Sequence, residues 1–261
     1  YNAEKEGMRM RFKVIACKAL QREISLLAAQ TDAVLDITYM RQGLHDTPDL
    51  LRAALQKEID AVADGNDLHS NEARLGRRFD AILLGYGLCS NGVAGVSSKT
   101  HKLVVPRSDD CIALFLGSYA KYREYFDAHP GTYWYNASWI ENAYTPSEEN
   151  RRQLLAEYTE KYGADNAEYL VDAESTTKNY NNAAYIAWEG LDFPKYERYT
   201  REAAAYFGWK FDKVTGDSGW LTDLLSGRHD DRFAVAQPGE CFAQDYEGRV
   251  LHTCPFCREE T

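Results

Sequence analysis

No apolar run in this chain of 261 residues approaches the ~20 residues needed to span a bilayer, so no helix of this sequence is expected to cross a membrane. Positive charge is in short supply. With 30 Lys and Arg against 40 Asp and Glu, the formal net charge is −10, which argues against a nucleic acid or an anionic membrane as partner, since both call for a basic face. Six cysteines are too few at this length for a disulfide scaffold. The histidines, His45, His69, His101, His129, His229 and His252, lack the paired spacing of a histidine metal site and are assigned no role. Internal repeats, linkers and low-complexity stretches are absent, as is the charged, apolar and small-residue order of a secretory signal. A cytoplasmic protein with free or metal-bound thiols is the expectation. Residues 1–10 read as a flexible leader.

What is present is ordinary for a globular protein: 44% apolar and 27% charged residues, enough for one large domain or two modest ones. The 18 tyrosines cluster between Tyr119 and Tyr206 and read as amphipathic packing at the surface and in a cleft wall. The first half alternates in the βα manner. Strands are predicted at 12–16, 34–39, 79–84 and 102–105, with helices over 18–30 and from Pro48 through Val62. An apolar stripe from Ile112 to Phe126 predicts one helix capped by Asp110. His129-Pro130-Gly131 marks the domain boundary. Beyond it come strands at 132–135, 183–188, 210–214 and 233–237, and helices at 147–162, 165–174, 194–207 and 217–227. Residues 242–252 resemble a hairpin around Glu247-Gly248.

The predicted fold is therefore α/β: a mostly parallel twisted sheet with helices on both faces, two lobes around a cleft, and a C-terminal β-hairpin. The lobes are placed at 11–128 and 129–252, with 253–261 as a tail. One continuous sheet with its cleft at a switch point is the alternative.

Three cysteines follow three of the predicted strands: Cys17, Cys89 and Cys111. In an open parallel sheet the carboxyl ends of the strands share one edge, so thiols far apart in sequence can meet there. Three converging thiols make a metal or iron–sulfur site, the alternative being small buried residues at strand ends. Cys111 is expected at the positive end of a helix, which favours thiolate, with Arg107 acting in the same sense and Asp110 as cap. Lys18 and Arg107 offset thiolate charge at the rim; with Asp110 they are the candidate catalytic residues. Gly85-Tyr86-Gly87-Leu88-Cys89-Ser90-Asn91-Gly92 departs from a dinucleotide fingerprint and reads as a wide loop, with Gly87, Asn91 and Gly92 as cofactor-binding candidates; no nucleotide is expected. Thr132-Tyr133-Trp134-Tyr135-Asn136-Ala137-Ser138-Trp139 reads equally as a pocket wall or as packing between lobes.

The C-terminal His252-Thr253-Cys254-Pro255-Phe256-Cys257 reads first as a frayed tail with reactive thiols, second as a small zinc knuckle completed by Cys241 and His252, and last as a redox motif. On the first reading, deleting 251–261 leaves the fold and the core metal unchanged.

The residues around the three cysteines resemble a known family, domain of unknown function 1638, from methanogenic archaea and anaerobic bacteria. The likeness is carried by Phe12-Lys13-Val14-Ile15-Ala16-Cys17-Lys18, by Leu84 through Gly92, by Val105-Pro106-Arg107-Ser108-Asp109-Asp110-Cys111-Ile112 and by Gly131-Thr132-Tyr133-Trp134. That family often carries a histidine before the Asp-Cys pair, where this chain has Asp109. The resemblance implies a setting near corrinoid-dependent methyltransferases and no established activity. It gives zinc a slight preference over an iron–sulfur cluster, with a small molecule or a corrinoid protein as partner. A non-catalytic binding or accessory protein is the competing expectation.

Overall fold

The computed structural model describes residues 9–70, 72–248 and 250–255. In chain order it runs β1 (Arg11–Cys17), α1 (Gln21–Ala28), β2 (Val34–Met40), α2 (Pro48–Ala63), β3 (Ala81–Gly85), β4 (Leu103–Pro106) and α3 (Ile112–Leu116). Next come α4 (Tyr119–Ala128), β5 (Thr132–Tyr135), α5 (Ala137–Asn142), α6 (Glu148–Tyr162), α7 (Ala164–Glu174), β6 (Asn182–Ala187), α8 (Pro194–Phe207) and β7 (Lys210–Thr215). The chain ends through α9 (Gly219–Ser226), β8 (Phe233–Ala236), β9 (Glu240–Asp245) and β10 (Val250–Pro255). It divides into two compact units, one holding the residues up to Tyr119 and from Ser218 onward, the other Ala120–Asp217.

The first unit is built on a five-stranded sheet of order β2-β1-β3-β4-β8, with β1 to β4 parallel and β8 antiparallel to β4. Its inner strands read as apolar runs because both faces are covered, as parallel strands require. On one face Ile15, Ile82, Leu84, Leu103 and Val105 meet Leu51, Leu55 and Ile59, which helical spacing puts on one side of α2. The antiparallel pair β9–β10 adds Phe242 and Leu251 to this cluster. On the opposite face α1 packs against α9, and α9 reaches β4. Gly85 makes that approach possible, since a Cβ there would stand 2.6 Å from the Cβ of Ala16 and 3.1 Å from Ile24.

Lys13 sits in this apolar setting with its side chain fully buried. Its Nζ reaches Asp36 Oδ1 at 2.8 Å, across the β1–β2 register, and Asp67 Oδ2 at 2.6 Å. Asp67 lies beyond the end of α2, so the ammonium ties the segment after that helix to the middle of the sheet.

In the second unit β5, β6 and β7 form a parallel sheet. Tyr135, Ala183 and Tyr185 pack with Tyr196, Ala203 and Ala204 of α8. On the other face Tyr125 of α4 donates through its hydroxyl to Asp212 (2.8 Å), accepts from Asn182 Nδ2 (3.0 Å), and lies 4.7 Å from the ring of Trp134. Tyr133 meets Tyr180 at 5.1 Å and Trp209 at 6.3 Å. The aromatic run at 132–139 is thus packing inside this unit, and Asn136 accepts from the Trp139 amide to start α5, a helix the sequence reading did not place.

Several expectations are corrected. Residues from Ser218 onward belong to the first unit, because β8 pairs with the edge of β4 and places Ala234 and Ala236 in the α2-side cluster. The unit boundary falls after Tyr119 and not at His129-Pro130-Gly131. The stripe at 112–126 is two helices, since Gly117 ends α3 in the left-handed region at φ 70. The chain beyond β1 begins as a short 3-10 turn (Lys18–Leu20) before α1. Leu251 is fully buried and β10 continues to Pro255, so the segment from 251 is part of the core and its deletion removes a packed strand. The hairpin is present as read. The proposed leader at 1–8 and Cys257 lie outside the described residues. Among the described residues no helix is long and apolar enough to cross a membrane.

Candidate functional site

The chain leaves β1 for β2 on one side and returns, after α2, to β3 on the other side of β1. Strand order therefore reverses between β1 and β3, and the crevice outside the carboxyl ends at such a point is where open α/β sheets bind ligands. Cys17 is the last residue of β1, Cys89 follows the end of β3, and Cys111 follows the end of β4. Cys17 Sγ accepts from the Ala19 amide at 3.5 Å, which starts the 3-10 turn.

Two loops carry the other thiols and are joined through their backbones. Leu88 N donates to Ser108 O (2.6 Å) and Cys89 N to Asp109 O (2.9 Å). Gly87 is the residue that permits this contact. A Cβ there would stand 2.8 Å from the Cα, carbonyl carbon and oxygen of Asp110, so glycine is required by space. Gly92 has a similar reason: a Cβ would come within 2.4 Å of Leu51 Cδ2.

Between these glycines Cys89, Ser90 and Asn91 all adopt left-handed backbone, with φ of 49, 55 and 67. For residues with a side chain this costs roughly 1–2 kcal/mol each. The turn is held by Gly92 N on Cys89 O (3.0 Å) and by Arg52 of α2, whose guanidinium donates to the carbonyls of Asn91 (3.1 Å) and Ala94 (2.5 Å). Strain of this kind persists where the surroundings over-determine the loop, commonly at a ligand site. Ser90 is exposed, so its strain can be relieved without touching the core. Ser90→Gly is expected to raise stability by about 0.5–1 kcal/mol, the relief less the added flexibility of glycine, read as an increase in the denaturation midpoint; a decrease would mean the serine hydroxyl holds the turn.

The three cysteines are partly exposed residues whose sulfurs are nonetheless desolvated, and each acts electrostatically on its neighbours. Burial first, and then Cys17, push the Cys89 thiol up to about 12; Asp110 adds to the shift and a hydrogen bond from the Gly87 amide opposes it. Burial, Cys89, Asp110 and Cys17 in that order raise Cys111 well above the ordinary thiol range. Burial raises Cys17. The expected helix-end activation of Cys111 is therefore overruled: α3 is only five residues long, and burial and negative neighbours dominate.

Tyr86, between Gly85 at the end of β3 and Gly87, completes the cluster. It is 3% exposed and its hydroxyl is buried without a hydrogen-bond partner. Burial raises its pKa first, followed by Cys17, Cys89 and Cys111. Sequence spacing alone assigns Tyr86 no role. An aromatic held between glycines at the carboxyl end of a buried strand was the signal.

The remaining candidates take up identifiable positions. Asp110 Oδ1 accepts from the Ile112 amide at 2.8 Å, the capping role expected of it. Asp109 accepts from Tyr119 Oη at 2.8 Å. Arg107 Nε donates to Phe233 O at 3.2 Å, on β8. Lys18 is exposed in the 3-10 turn next to Cys17. Asn91 Oδ1 is buried with no partner, whereas Gly87 and Gly92 have packing reasons of their own.

Among the described residues no set of three or more His, Cys, Asp or Glu side chains is arranged to hold a metal ion. The three thiols share one electrostatic neighbourhood without being drawn to a common point. Their donor chemistry is that of a soft-metal site, and the buried Tyr86 hydroxyl, without a hydrogen-bond partner, is within electrostatic reach of the same three sulfurs. A cavity of about 510 Å³ lies elsewhere, lined by Arg77, Arg78 and Phe79 ahead of β3 and by Thr100 and His101 ahead of β4. It is at the amino edge of the sheet, away from the switch-point edge, and no thiol lines it.

Residues 39–225 match the family described as "Protein of unknown function (DUF1638)". The chain belongs to this family. No curated protein and no solved structure matches it. The DUF1638 match includes Tyr86, Cys89 and Cys111, begins after Cys17 and ends before the hairpin.

Proposed function

We propose that Cys17, Cys89 and Cys111 hold a metal centre, zinc in first place and an iron–sulfur cluster as the alternative, in a cytoplasmic protein of anaerobic one-carbon or corrinoid-linked methyl-transfer metabolism. The observation that carries this reading is the gathering of three thiols and one unpartnered tyrosine hydroxyl at the switch point of a parallel sheet. The methyl-transfer setting rests on family resemblance. Zinc held by three thiolates with one open position would lower the pKa of a bound substrate thiol.

The chain's own residues have definable parts in this. Burial and mutual repulsion keep the sulfurs protonated on their own. Loading with a cation would therefore release protons, and coordination would fix the thiolates. The Tyr86 hydroxyl would then be available to donate a hydrogen bond to a thiolate or to a bound substrate atom. Asp110 holds the start of α3 and Lys18 supplies positive charge at the rim. The competing reading, a binding or accessory protein with structural cysteines, is favoured by one observation: Cys17 and Cys89 pack against the α2-side apolar cluster.

Metal analysis and visible spectra of anaerobically purified protein separate the two. Serine at Cys17, Cys89 or Cys111 is expected to remove about one equivalent of zinc, or the cluster iron, while circular dichroism stays unchanged. Full metal content in all three variants would leave the binding-protein reading in its place.

A further inference from the structure

The hairpin carries a second pair of thiols that the site above does not use. Cys241 of β9 and Cys254 of β10 are register partners, their sulfurs stand 3.1 Å apart, and neither is in a disulfide. Opposed residues of an antiparallel pair have Cα atoms about 4.5–5.5 Å apart, inside the ~4.4–6.8 Å that a disulfide spans. The sulfurs are about 1 Å beyond the ~2.05 Å of such a bond, a gap that small side-chain rotations close. Alternation along a strand puts this pair on the face opposite Phe242 and Leu251, both of which are buried in the core. The backbone beneath is anchored: Gly95 N donates to Phe242 O at 2.8 Å, Gly239 N donates to Ser98 O at 2.9 Å, and Ser97 bridges to Cys241. Closing the bond therefore disturbs neither the core nor the strand pairing. The two thiols differ in access, Cys241 being buried and Cys254 half-buried. A reagent meets Cys254 first, with Cys241 in contact behind it, the arrangement of an attacked and a resolving thiol. Among the described residues no group of three or more His, Cys, Asp or Glu could hold a metal ion, so the chemistry open to the pair is that of two sulfurs.

We infer that Cys241 and Cys254 form a reversible dithiol–disulfide switch that staples the open end of the hairpin, independent of the thiol cluster at the main sheet. The oxidant is a small-molecule disulfide, RSSR, of the glutathione class. Cys254 loses its proton and attacks one sulfur of RSSR. The S–S bond breaks, one RS⁻ leaves and takes up the proton, and a mixed disulfide remains on Cys254. Cys241, deprotonated in its turn, attacks Cys254 Sγ and expels the second RS⁻, which is protonated. Two protein thiols and one RSSR thus become one protein disulfide and two RSH, the cysteines giving up two electrons and the reagent gaining them. In a reducing compartment a disulfide is usually transient, so the dithiol is the resting form and the closed form is a response to oxidation. The bond closes a loop spanning 13 positions (254 − 241), which restricts the unfolded chain and stabilises the hairpin.

Treatment of the chelator-stripped, reduced full chain with oxidised glutathione tests this. Peptide mapping after alkylation in denaturant should show a Cys241–Cys254 link that dithiothreitol reverses, and the same link should form in Cys257→Ser. Cys241→Ser should leave a stable glutathione adduct on Cys254, because the resolving thiol is gone. The link should raise the thermal midpoint by several degrees relative to Cys254→Ser treated in the same way. If serine at position 254 impairs folding, the peptide map of the natural sequence decides alone. A stable glutathione adduct on Cys254 in the natural sequence would overturn the inference. So would a link from Cys254 to any other cysteine, with Cys241 still open to alkylation. The main-sheet site is read separately, in the metal content of Cys111→Ser, and neither result bears on the other.

Discussion

Replacing Lys13 by alanine is expected to destabilise the first unit by about 3–5 kcal/mol, the range for breaking a buried ion pair from one side. The ammonium is fully buried, and its two partners have side chains 22% and 7% exposed, so removing it leaves a buried carboxylate and a partly buried one close together without their cation. Asp36 stands opposite Lys13 in the β1–β2 register, and Asp67 holds the segment after α2 against the same point. The loss therefore acts where the sheet and its covering helix meet, on the face of β1 that also carries Cys17. Urea denaturation measures it. Neutralising the whole group, with Lys13→Met, Asp36→Asn and Asp67→Asn together, should recover most of the stability, since a neutral, well-packed replacement avoids the desolvation cost. A loss below about 1 kcal/mol for the single variant, the scale of an exposed pair, would contradict the buried-network account.

Gly87→Ala should be the most damaging small substitution near the thiols. Gly87 is not in the left-handed region, so by backbone entropy alone alanine would stabilise the fold by ~0.4–1 kcal/mol. The added Cβ instead meets three backbone atoms of Asp110 at 2.8 Å, and backbone cannot move aside as a flexible side-chain tip can. The expected result is a loss of about 1–3 kcal/mol, typical of overpacking. It should be accompanied by separation of the loops that the Leu88–Ser108 and Cys89–Asp109 hydrogen bonds join. Metal content should fall in parallel, because Cys89 and Cys111 are on opposite sides of that junction. Stability equal to or above that of the natural sequence, with metal retained, would mean the two loops are not held by this contact.

Much of the first unit was legible because its signals are local. Short apolar runs alternating with amphipathic helices mark β1 to β3, and the βα connections there favour parallel strands, which puts the ends carrying Cys17 and Cys89 on one edge; β4 follows β3 with no helix between them, and only its apolar run suggests that Cys111 joins the same edge. Pairing across long sequence distances was not legible. Nothing in Phe233-Ala234-Val235-Ala236 says that it will run antiparallel to β4, and nothing local in Val14 or Phe12 says that the lysine between them will meet an aspartate 54 positions on (67 − 13). Gly117 was visible, but the apolar stripe continues past it, and only the left-handed geometry shows that the helix stops there. The state of the thiols was misjudged for a related reason. A helix-end charge is read from sequence spacing, whereas desolvation and the approach of the other sulfurs exist only after the loops are folded. Tyr86 escaped notice because an aromatic beside a buried strand is usually packing, and its significance lies in a hydroxyl left without a partner.

The central claim is that Cys17, Cys89 and Cys111 are ligands of one metal centre. Anomalous diffraction at the zinc and iron edges, from crystals of anaerobically purified protein, tests it most directly. The account predicts an anomalous peak outside the carboxyl ends of β1, β3 and β4, with all three sulfurs bound to it, about 2.3 Å away if the metal is zinc. No peak at that position, with the three sulfurs protonated and apart, would contradict it.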